Sequence, residues 1–386
     1  MCNIWLTNTQ SKPNRTGLIA VALGVVICLL CAVCGVAGWM NLSGILGDGD
    51  VTFKANASAL NSTIVTPHME APITAGKNVL YCSTFQLAWN ELKQTIVKDD
   101  VHLQNEPPMV PLLDKSRSTQ DDISDKDYVA MAGFGRDRIL SRINQALQAK
   151  FKGQAPTVSA NPGPNDFLAY AYLSKDLQFE KEFEKLDTPI SFMVNRQAIQ
   201  VKAFGLKEYD LAKQQDIGKQ VSVYDYTDDS DFVLRFASLS ANDDIVLAKV
   251  KPAATLLQTI QSVRARIARN SPDSLKDKEV LAVPIFDFDI TRDYSELTGK
   301  PLTNKGFENS MISQATQMIR FRLNQKGALL TSGSLMFGAG AAPPPKVRHF
   351  VFDQPFLLYL QEKTGQYPYF TVWIDNAELM VKRPPE

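Results

Sequence analysis

A long tract of small residues without hydrophobic periodicity separates two predicted strands near the C-terminus. Met318–Asn324 and Phe350–Leu360 have the apolar patterns that are typical of strands. Between them, "GALLTSGSLMFGAGAA" is rich in Gly, Ala, Ser and Leu and is followed by the prolines of 343–345. Structureless segments of this length are uncommon in compact domains and are usually functional or disordered. Any fold of this chain therefore has to carry the tract outside its sheets.

The composition is that of an ordinary globular protein, and it excludes several functional classes. The 386 residues are 45% hydrophobic and 21% charged, enough for one large domain or two smaller ones. Lys plus Arg equals Asp plus Glu at 41 each, so no overall charge favours nucleic acid as a partner. The histidines His68, His102 and His349 lie far apart without ligand-like neighbours, which argues against a zinc site or histidine-based catalysis.

An uncharged apolar stretch of 24 residues, Gly17–Met40, predicts a membrane-spanning helix. About 20 apolar residues span the hydrocarbon core, whereas the apolar part of a cleaved signal peptide has about 7–15. Lys12 and Arg15 precede the stretch, and acidic residues follow it. The positive-inside rule then places residues 1–16 in the cytoplasm and the rest on the extracellular or periplasmic side.

The cysteines predict neither a disulfide nor a metal site. Cys28, Cys31 and Cys34 lie within the apolar stretch, where they are explained as small apolar residues of a membrane helix. Only Cys82 follows the stretch, so the outer part of the chain cannot form an internal disulfide.

Beyond the membrane stretch, the patterns predict a stalk and then one α+β domain. Residues 41–77 are rich in small and polar residues and predict the stalk, whose glycosylation sequons at Asn41, Asn56 and Asn61 matter only in an organism that glycosylates. Residues 78–386 form the predicted domain. Helices are expected at 83–92, where Ser83-x-x-Gln86 resembles a capping box, at 137–151 and at 252–269. Strands are expected at 78–81, 169–173, within 189–250, and at 280–289, 318–324, 350–360 and 367–374, the last two forming a hairpin around Thr364 and Gly365.

No constellation of residues indicates an enzyme. The chain has no G-x-S-x-G, P-loop or G-x-G-x-x-G motif. Asp287 and Asp289 could bind a cation, but the solvated face of a strand with Phe286 and Phe288 inward explains them better. "TDDSD" (227–231) lacks the glycine and glutamate of a calcium loop and indicates a turn. Arg264, Arg266 and Arg269 are either a polyanion patch or a charged helix face, and the second is the default interpretation. We therefore expect no enzyme activity, metal or cofactor.

Five segments, in order along the chain, resemble one known family. "ISQATQMIRFRLNQKG" (312–327) resembles the serpin strand that leads into the reactive-centre loop, and "VPIFDFD" (283–289) resembles the serpin Pro-Lys-Phe strand. "FDQPFLLYLQEKTGQYPYFTVWID" is similar to the serpin closing hairpin, and "NVLYCSTFQLAWNEL" (78–92) to the N-V-x-x-S-P-x-S-I strand and helix. The fifth segment follows the serpin W-x-x-x-F…T…F spacing, with Phe in place of Trp, at Phe179, Phe183, Thr188 and Phe192.

The resemblance implies a monomeric inhibitor of a serine protease. It implies a large, mixed but mostly antiparallel sheet with surrounding helices and an exposed reactive-centre loop, which after cleavage enters the sheet as an extra strand. The hinge of that loop would comprise Gly327, Ala328, Leu329, Leu330, Thr331, Ser332, Gly333 and Ser334. The bond offered to the protease would lie among Gly338, Ala339, Gly340, Ala341 and Ala342. Because these residues are small, an elastase-like protease is the expected target.

The chain departs from serpins in three places. Leu330 stands where the family prefers alanine, and overpacking by such a side chain costs about 1–3 kcal/mol. In the region where the sheet opens, Cys82 precedes Ser83 in place of the serine of S-P-x-S, and Gln317 replaces a histidine. Residues 93–165 are few for a serpin, so we expect missing helices, including the one that covers the main sheet. These departures leave a second hypothesis open, a serpin-fold binding or structural protein whose loop does not insert.

Overall fold

The computed structural model describes residues 53–153, 155–175, 177–194, 197–328 and 347–383. The chain divides into two compact units, residues 1–49 and 50–386, and the described residues all belong to the second. No helix within the described ranges is long and apolar enough to cross a membrane. The predicted membrane helix, residues 17–40, lies outside them.

The described chain is an α+β unit, as predicted, with its strands grouped in three large sheets. The helices are α1 (Thr84–Glu91, continued by a π-helical segment Leu92–Val97), α2 (Val110–Leu113), α3 (Ile139–Phe151), α4 (Gln215–Lys219) and α5 (Leu256–Arg269). The strands are β1 (Phe53–Asn56), β2 (Thr63–Thr66), β3 (Asn78–Cys82), β4 (Tyr128–Phe134), β5 (Phe167–Leu173), β6 (Leu177–Gln178), β7 (Glu184–Val194), β8 (Gln197–Leu206), β9 (Val221–Asp228), β10 (Asp231–Phe236), β11 (Asp243–Lys249), β12 (Asp273–Ser274), β13 (Val280–Pro284), β14 (Phe286–Asp293), β15 (Ile312–Leu323), β16 (Gly327–Ala328), β17 (His349–Val351), β18 (Phe356–Glu362) and β19 (Phe370–Ile374).

Each sheet combines strands that are distant in sequence. Sheet A has five strands in the order β1-β14-β15-β5-β4, and sheet B has eight in the order β12-β9-β10-β11-β18-β19-β3-β2. Sheet C has the order β17-β13-β8-β7, and β16 pairs with β6 alone. The predicted strand over 280–289 is two strands, β13 in sheet C and β14 in sheet A. The prediction of strand structure is confirmed, but the prediction of one continuous strand is wrong. The predicted hairpin of the last two strands is confirmed by the antiparallel β18–β19 pair.

The alternation of side chains in sheet A explains its two faces. Phe286, Phe288 and Ile290 of β14 face the largest hydrophobic cluster, as predicted. Asp287 is on the opposite face but is only 2% exposed, and its Oδ2 lies 2.5 Å from Arg322 Nη2. The expected solvated carboxylate at this position is therefore wrong, because an ion pair takes the place of water.

The predicted stalk is wrong over much of its length. β1 pairs in parallel with β14 at the edge of sheet A, and β2 pairs in parallel with β3 at the edge of sheet B. The folded unit thus includes residues from Phe53 onward, while 41–52 of the predicted stalk lie outside the described residues. Asn56 contributes to the fold: its Nδ2 donates to Asp293 Oδ2 at 2.9 Å, and its Oδ1 accepts a hydrogen bond from Ser58 N.

One helix covers sheet A, against the expectation that this helix would be missing. The apolar residues of α3, among them Ile143 and Leu147, pack on the face of the sheet formed by Val129, Leu168 and Tyr170. The opposite face rests on α1. The short segment 93–165 therefore keeps a covering helix between β4 and β5.

The arginine-rich helix face is structural in part. Arg266 Nε lies 2.8 Å from Asp225 Oδ2, and Arg266 Nη1 lies 2.5 Å from Asp231 Oδ1. These ion pairs join α5 to β9 and β10 of sheet B. Because this guanidinium is committed to carboxylates, the helix-face interpretation is favoured over a polyanion patch.

Candidate functional site

The centre of sheet A contains a parallel pair with antiparallel neighbours on both sides. β15 and β5 are parallel: Ile312 pairs with Phe167, and after a one-residue irregularity the strands stay in register from Gln314 opposite Leu168 to Ile319 opposite Leu173. β14–β15 and β5–β4 are antiparallel. A strand that entered between β15 and β5 in the opposite direction would replace one parallel ladder by two antiparallel ladders, and antiparallel pairing is slightly more stable per residue. The other parallel boundary of the described sheet, β1–β14, has four paired positions against seven at β15–β5, so strand addition gains most at β15–β5.

The chain leaves β15 in the direction that such a strand requires. After Leu323 it reverses through a tight turn in which Asn324 and Gly327 exchange backbone hydrogen bonds of 3.0 and 3.1 Å. Gly327 and Ala328 then form β16, antiparallel to β6, the short strand that follows β5. The first residues of the predicted loop are therefore already paired next to the boundary between β15 and β5.

Gly327 is required at this turn for two physical reasons. Its φ is +105°, a backbone conformation that residues other than glycine rarely adopt. A Cβ at this position would lie 2.3 Å from the carbonyl oxygen of Leu177 and 2.6 Å from the amide nitrogen of Phe179. The glycine that the sequence identified as the start of the hinge thus permits the close approach of β16 to β6.

Backbone bonds and a group of aromatic rings hold this end of the loop. Phe179 N donates to Lys326 O at 2.9 Å, and Phe183 N donates to Gln325 O at 2.8 Å. The rings of Phe179 and Phe183 are perpendicular, with centroids 4.9 Å apart. Phe204 and Phe236 lie within 6.1 Å of these rings. The Phe179 and Phe183 spacing noted in the sequence therefore places both residues directly beside the hinge.

Beneath sheet A, Gln317 is the centre of a buried hydrogen-bond group. Its Nε2 donates to Cys82 O at 3.0 Å and to Thr84 Oγ1 at 2.9 Å, while its Oε1 accepts from Tyr294 OH at 2.8 Å. Gln317 is fully buried, and burial raises the pKa of the Cys82 thiol to about 11, so the thiol stays protonated. Gln317 bonds the carbonyl oxygen of Cys82 and not its thiol, whose Sγ lies 3.3 Å from Thr84 Oγ1, and the opening of the sheet at these residues stays a prediction.

Ser83 does not play the part that its motif predicted. It has helical dihedral angles, and its side chain makes no capping hydrogen bond to α1. The capping box is wrong because Gln86 Nε2 donates instead to Asn90 Oδ1 at 2.9 Å and to Leu113 O at 2.7 Å. Ser83 contributes through its backbone, whose N–H donates to Tyr369 O at 2.9 Å.

All hydrogen bonds of the Gln317 side chain lie on one side of the parallel boundary. Its partners belong to β3, to α1 and to the segment after β14, while the residue opposite it on β5 is Ala171. Two side-chain bonds do cross the boundary: Ser313 Oγ donates to Phe167 O at 2.8 Å, and Tyr170 OH donates to Met318 Sδ at 3.3 Å. Separating β15 from β5 would therefore break no direct bond between the Gln317 side chain and β5.

The chain re-enters the described fold at Val347, and the following residues are held by charged side chains. Arg348 Nε and Nη2 lie 2.5 and 3.0 Å from the two carboxylate oxygens of Glu279, and Nη1 lies 3.1 Å from Asp273 Oδ2. His349 N donates to Asp229 Oδ1 at 3.1 Å, and β17 pairs in parallel with β13. Neither Arg348 nor Tyr294 belongs to a motif recognised in the sequence, because their partners are distant along the chain.

Most of the predicted loop lies outside the described residues. Of the hinge, Gly327 and Ala328 are placed as given above, and Leu329, Leu330, Thr331, Ser332, Gly333 and Ser334 are not described. The predicted scissile region, residues 338–342, is also outside the described ranges. No group of residues that could hold a metal ion occurs in the part of the chain that the structure describes.

Comparison with known proteins finds similarity at the level of solved structures. No family model and no curated protein sequence matches the chain. Serpin48 of the insect Tenebrio molitor, described as a highly specific serpin, is 12% identical, with a TM-score of 0.44 over 79% of this chain and 92% of that structure. A serpin from Schistosoma mansoni is 14% identical, with a TM-score of 0.39 over 62% of this chain and 64% of that one.

Two further structures have the same level of similarity. A complex of thyroxine-binding globulin with thyroxine has 14% identity and a TM-score of 0.41, over 62% of this chain and 65% of that structure. Mouse protein-Z dependent protease inhibitor has 14% identity and a TM-score of 0.38, over 62% of this chain and 63% of that structure. Apart from Serpin48, the chain thus spans slightly less than two thirds of these structures. Two of the four are described as serpins, the family that the sequence motifs resemble.

Proposed function

We propose that this protein is a divergent serpin that inhibits a serine protease as a single-use substrate, through the loop of residues 328–345. The observation that carries the proposal is the parallel β15–β5 boundary in the middle of sheet A, beside which Gly327 and Ala328 turn back after β15 and pair antiparallel with β6. The five serpin-like segments support it independently, since three of them form β14, β15 and the β18–β19 hairpin. The protein itself has no catalytic role in this mechanism.

The chemistry is that of an interrupted peptide hydrolysis. The serine hydroxyl of the protease attacks a carbonyl carbon within 338–342, and the peptide C–N bond breaks as an ester forms with the serine oxygen. The proton from the serine hydroxyl passes to the leaving amine of the C-terminal fragment. The freed N-terminal part of the loop then enters sheet A with the protease attached. Hydrolysis of the ester fails because the protease is displaced and distorted.

The lengths of the strand and the loop agree with this mechanism. β15 has 12 residues, and a strand that begins at Ala328 and ends at 338–342 has 11 to 15. At about 3.3 Å per residue, full insertion carries the ester roughly 40 Å along sheet A. The loop is therefore long enough to pair along the whole of β15, and it is not much longer than that.

We further propose that residues 17–40 anchor the protein in a membrane, with residues 1–16 in the cytoplasm and the folded unit on the extracellular or periplasmic side. The support is the 24-residue uncharged stretch and the basic residues before it. Since strands begin at Phe53, the connecting segment has 12 residues, 41–52, rather than the longer stalk expected from sequence. The small residues of the scissile region point to an elastase-like protease as the target.

The test uses the full chain in detergent with a panel of serine proteases that includes an elastase-like enzyme. We expect a covalent complex that survives a denaturing gel, and a released C-terminal fragment whose first residue lies within 339–342. The matched control is Leu330→Arg, which puts a charge at an inward-facing position of the strand to be inserted and should convert the inhibitor into a substrate. Clean cleavage of the wild-type chain with the protease still active would contradict inhibition and leave a serpin-fold binding protein.

A further inference from the structure

A buried lysine directly after β5 contacts three carboxylates. Lys175 Nζ lies 2.7 Å from Asp243 Oδ1, 2.7 Å from Glu362 Oε1 and 3.1 Å from Asp127 Oδ2. Its side chain is 7% exposed, and those of the carboxylates are 2 to 15% exposed. Tyr369 completes the group, since its hydroxyl donates to Asp243 Oδ1 at 3.1 Å and its ring centroid lies 4.7 Å from the ammonium. We call these five residues the Lys175 cluster.

The cluster joins two parts of the fold that strand insertion would have to separate. Lys175 follows β5 and Asp127 directly precedes β4, so both belong to the half of sheet A on the far side of the β15–β5 boundary. Asp243 begins β11 and Glu362 ends β18, two neighbouring strands of sheet B. Two of the three ion pairs of Lys175 therefore connect the β4–β5 half of sheet A with sheet B.

The other half of sheet A is fixed to sheet B by separate contacts. Gln317 of β15 donates to the carbonyl oxygen of Cys82 on β3. Phe321 of β15 stacks on Phe370 of β19, with ring centroids 4.4 Å apart. If β15 stays with sheet B, any movement of β5 away from β15 is also a movement of Lys175 relative to Asp243 and Glu362.

The size of that movement exceeds what the ion pairs tolerate. A strand occupies about 4.8 Å in the direction of the sheet hydrogen bonds. Ion pairs of 2.7 Å reach the usual limit of about 4 Å after little more than 1 Å of separation. The bonds from Lys175 to Asp243 and Glu362 must break or rearrange during insertion, whereas the bond to Asp127 travels with β4 and β5.

The middle of the core-facing surface of the β4–β5 half, between Phe134 and Phe167 at one end and Tyr128 and Leu173 at the other, resists sliding little. Ala132, Ala169 and Ala171 face the cluster that contains Phe85 and Trp89 of α1. Methyl groups interdigitate less deeply than larger side chains, so displacement along α1 disturbs few packed atoms. The buried charges at the end of these strands then become a major part of the resistance to opening.

We propose that the Lys175 cluster controls how readily sheet A opens, by holding the β4–β5 half to sheet B until a strand enters beside β15. This inference rests on the proposed function, of which it specifies the regulation. The native sheet stays closed while Lys175 keeps both partners on sheet B. Weakening those two contacts lowers the barrier to insertion, although the residues lie outside the loop and its hinge.

The experiment measures sheet opening without a protease. The full chain in detergent is incubated with a fluorescent synthetic peptide of the loop sequence ALLTSGSLMFGAGA (residues 328–341), and uptake is followed as a mobility shift on native gels, with a scrambled peptide as the reference. The test variant is Asp243→Asn with Glu362→Gln, which removes both charges on sheet B but keeps the oxygen acceptors. The matched control is Asp127→Asn, which removes a charge of the same cluster within the moving half.

The proposal predicts that the double variant takes up the peptide at least about tenfold faster than wild type, while Asp127→Asn stays within roughly twofold. If the double variant does not fold, Glu362→Gln alone should still give a faster uptake. Equal rates for wild type and the sheet B variants would overturn the role of the cluster, as would an Asp127→Asn variant that is accelerated equally. Absence of uptake in every variant would also overturn it. Faster uptake without any trapped protease would leave this inference standing and contradict only the proposed inhibition.

Discussion

The two ends of the loop segment are held in different ways. At the departing end, Gly327 and its neighbours make backbone hydrogen bonds to β6 and to the residues after it. At the returning end, Arg348 makes ion pairs with Glu279 and Asp273, and His349 is bonded to Asp229. Backbone bonds can be exchanged for equivalent bonds in a new ladder, whereas a bidentate ion pair has no such replacement. The loop segment therefore extends from Gly327 and stays anchored at Arg348.

This difference explains why cleavage should precede insertion. An uncleaved loop is held at Arg348, so its far end cannot follow a strand along the full length of β15. Cutting within 338–342 frees the N-terminal part and leaves the C-terminal part in place with β17. In the proposed mechanism, the asymmetry of the two ends would hold the loop in place before it is cut and let its N-terminal part move afterwards.

The largest effect is expected at the returning end. Arg348→Ala leaves Glu279, whose side chain is 4% exposed, without its bidentate partner. Loss of one member of a buried pair costs about 3–5 kcal/mol. Chemical denaturation should show this loss, and Arg348→Lys, which keeps the charge but not the fork of donors, should recover only part of it. A loss below about 1 kcal/mol would show that the returning end is no better anchored than the departing one.

The next effect concerns the glycine of the departing end. Gly327→Ala forces a strained φ, worth about 1–3 kcal/mol, and also places a methyl group 2.3 Å from Leu177 O. Gly306→Ala is the matched control, because Gly306 has a φ of +90° with no atom within 4 Å of its added Cβ. The difference between the two variants in thermal unfolding isolates the close approach of β16 to β6. Equal losses would mean that this approach is not tight.

Removing the buried amide beneath sheet A should have a moderate effect. Gln317→Leu leaves Tyr294 OH and Thr84 Oγ1 without the partner that Gln317 provides, at about 1–3 kcal/mol for the buried polar groups. Tyr294→Phe removes one donor from the same group and should cost less. Neither bond crosses to β5. Both variants should therefore lower the free energy of unfolding without a corresponding increase in the rate of peptide uptake. A proportional change in that rate would place the Gln317 group among the contacts that open the sheet.

The smallest expected effect is a pH dependence of stability. Its sign is opposite for Asp127, which precedes β4, and for Asp229, which is bonded to His349 of β17. Burial raises the pKa of Asp127, so its contribution to stability is complete below the unfolded value of about 3.9 and is lost as pH rises through the folded value. Burial also acts to raise the pKa of Asp229, but hydrogen bonds from Tyr226 and His349 outweigh it and lower that pKa. The contribution of Asp229 is present above about 3.9 and is lost as pH falls through the folded value.

Acid should therefore loosen β17 and spare β4. Hydrogen exchange, corrected for the intrinsic rate at each pH, should show β17 losing protection as pH falls below about 3.9 while β4, next to Asp127, keeps it. Asp229→Asn should abolish the loss at β17. Equal loss in both strands, or a loss at β4 alone, would contradict the opposite signs.

Sequence reasoning succeeded where the informative residues are close together in the chain. The segments that form β14, β15 and the β18–β19 hairpin were each identified from a continuous pattern, and Gly327 does lie at a turn directly after β15, while its role in a hinge stays a prediction. The alternation in β14 correctly put Phe286 and Phe288 inward. These features depend on the period of a strand and on the glycine that a turn needs, and both are properties of neighbouring residues.

It failed where a role depends on a distant partner. Residues 53–66 resemble a stalk in sequence because they are small and polar. They form strands only because they pair with the edge strands β14 and β3, which are more than ten residues away along the chain. Asp287 looks solvated until Arg322 is placed opposite it in the β14–β15 register. Lys175 has no local pattern at all, since its carboxylates come from three separate segments. Capping at Ser83 was overruled by the tertiary bonds of Gln86.

One measurement tests strand insertion most directly. The loop of the full chain in detergent is cut within 338–342 by a protease that is then removed, and the thermal unfolding of cut and intact protein is compared. Insertion replaces the parallel β15–β5 ladder by two antiparallel ladders, so sheet A gains one ladder in all. At roughly 2 °C of Tm per kcal/mol, a net gain of more than about 5 kcal/mol raises the Tm by more than about 10 °C. We predict such a rise, together with new amide protection in residues 328–338. A cut protein that unfolds at the same temperature, or at a lower one, would contradict the account.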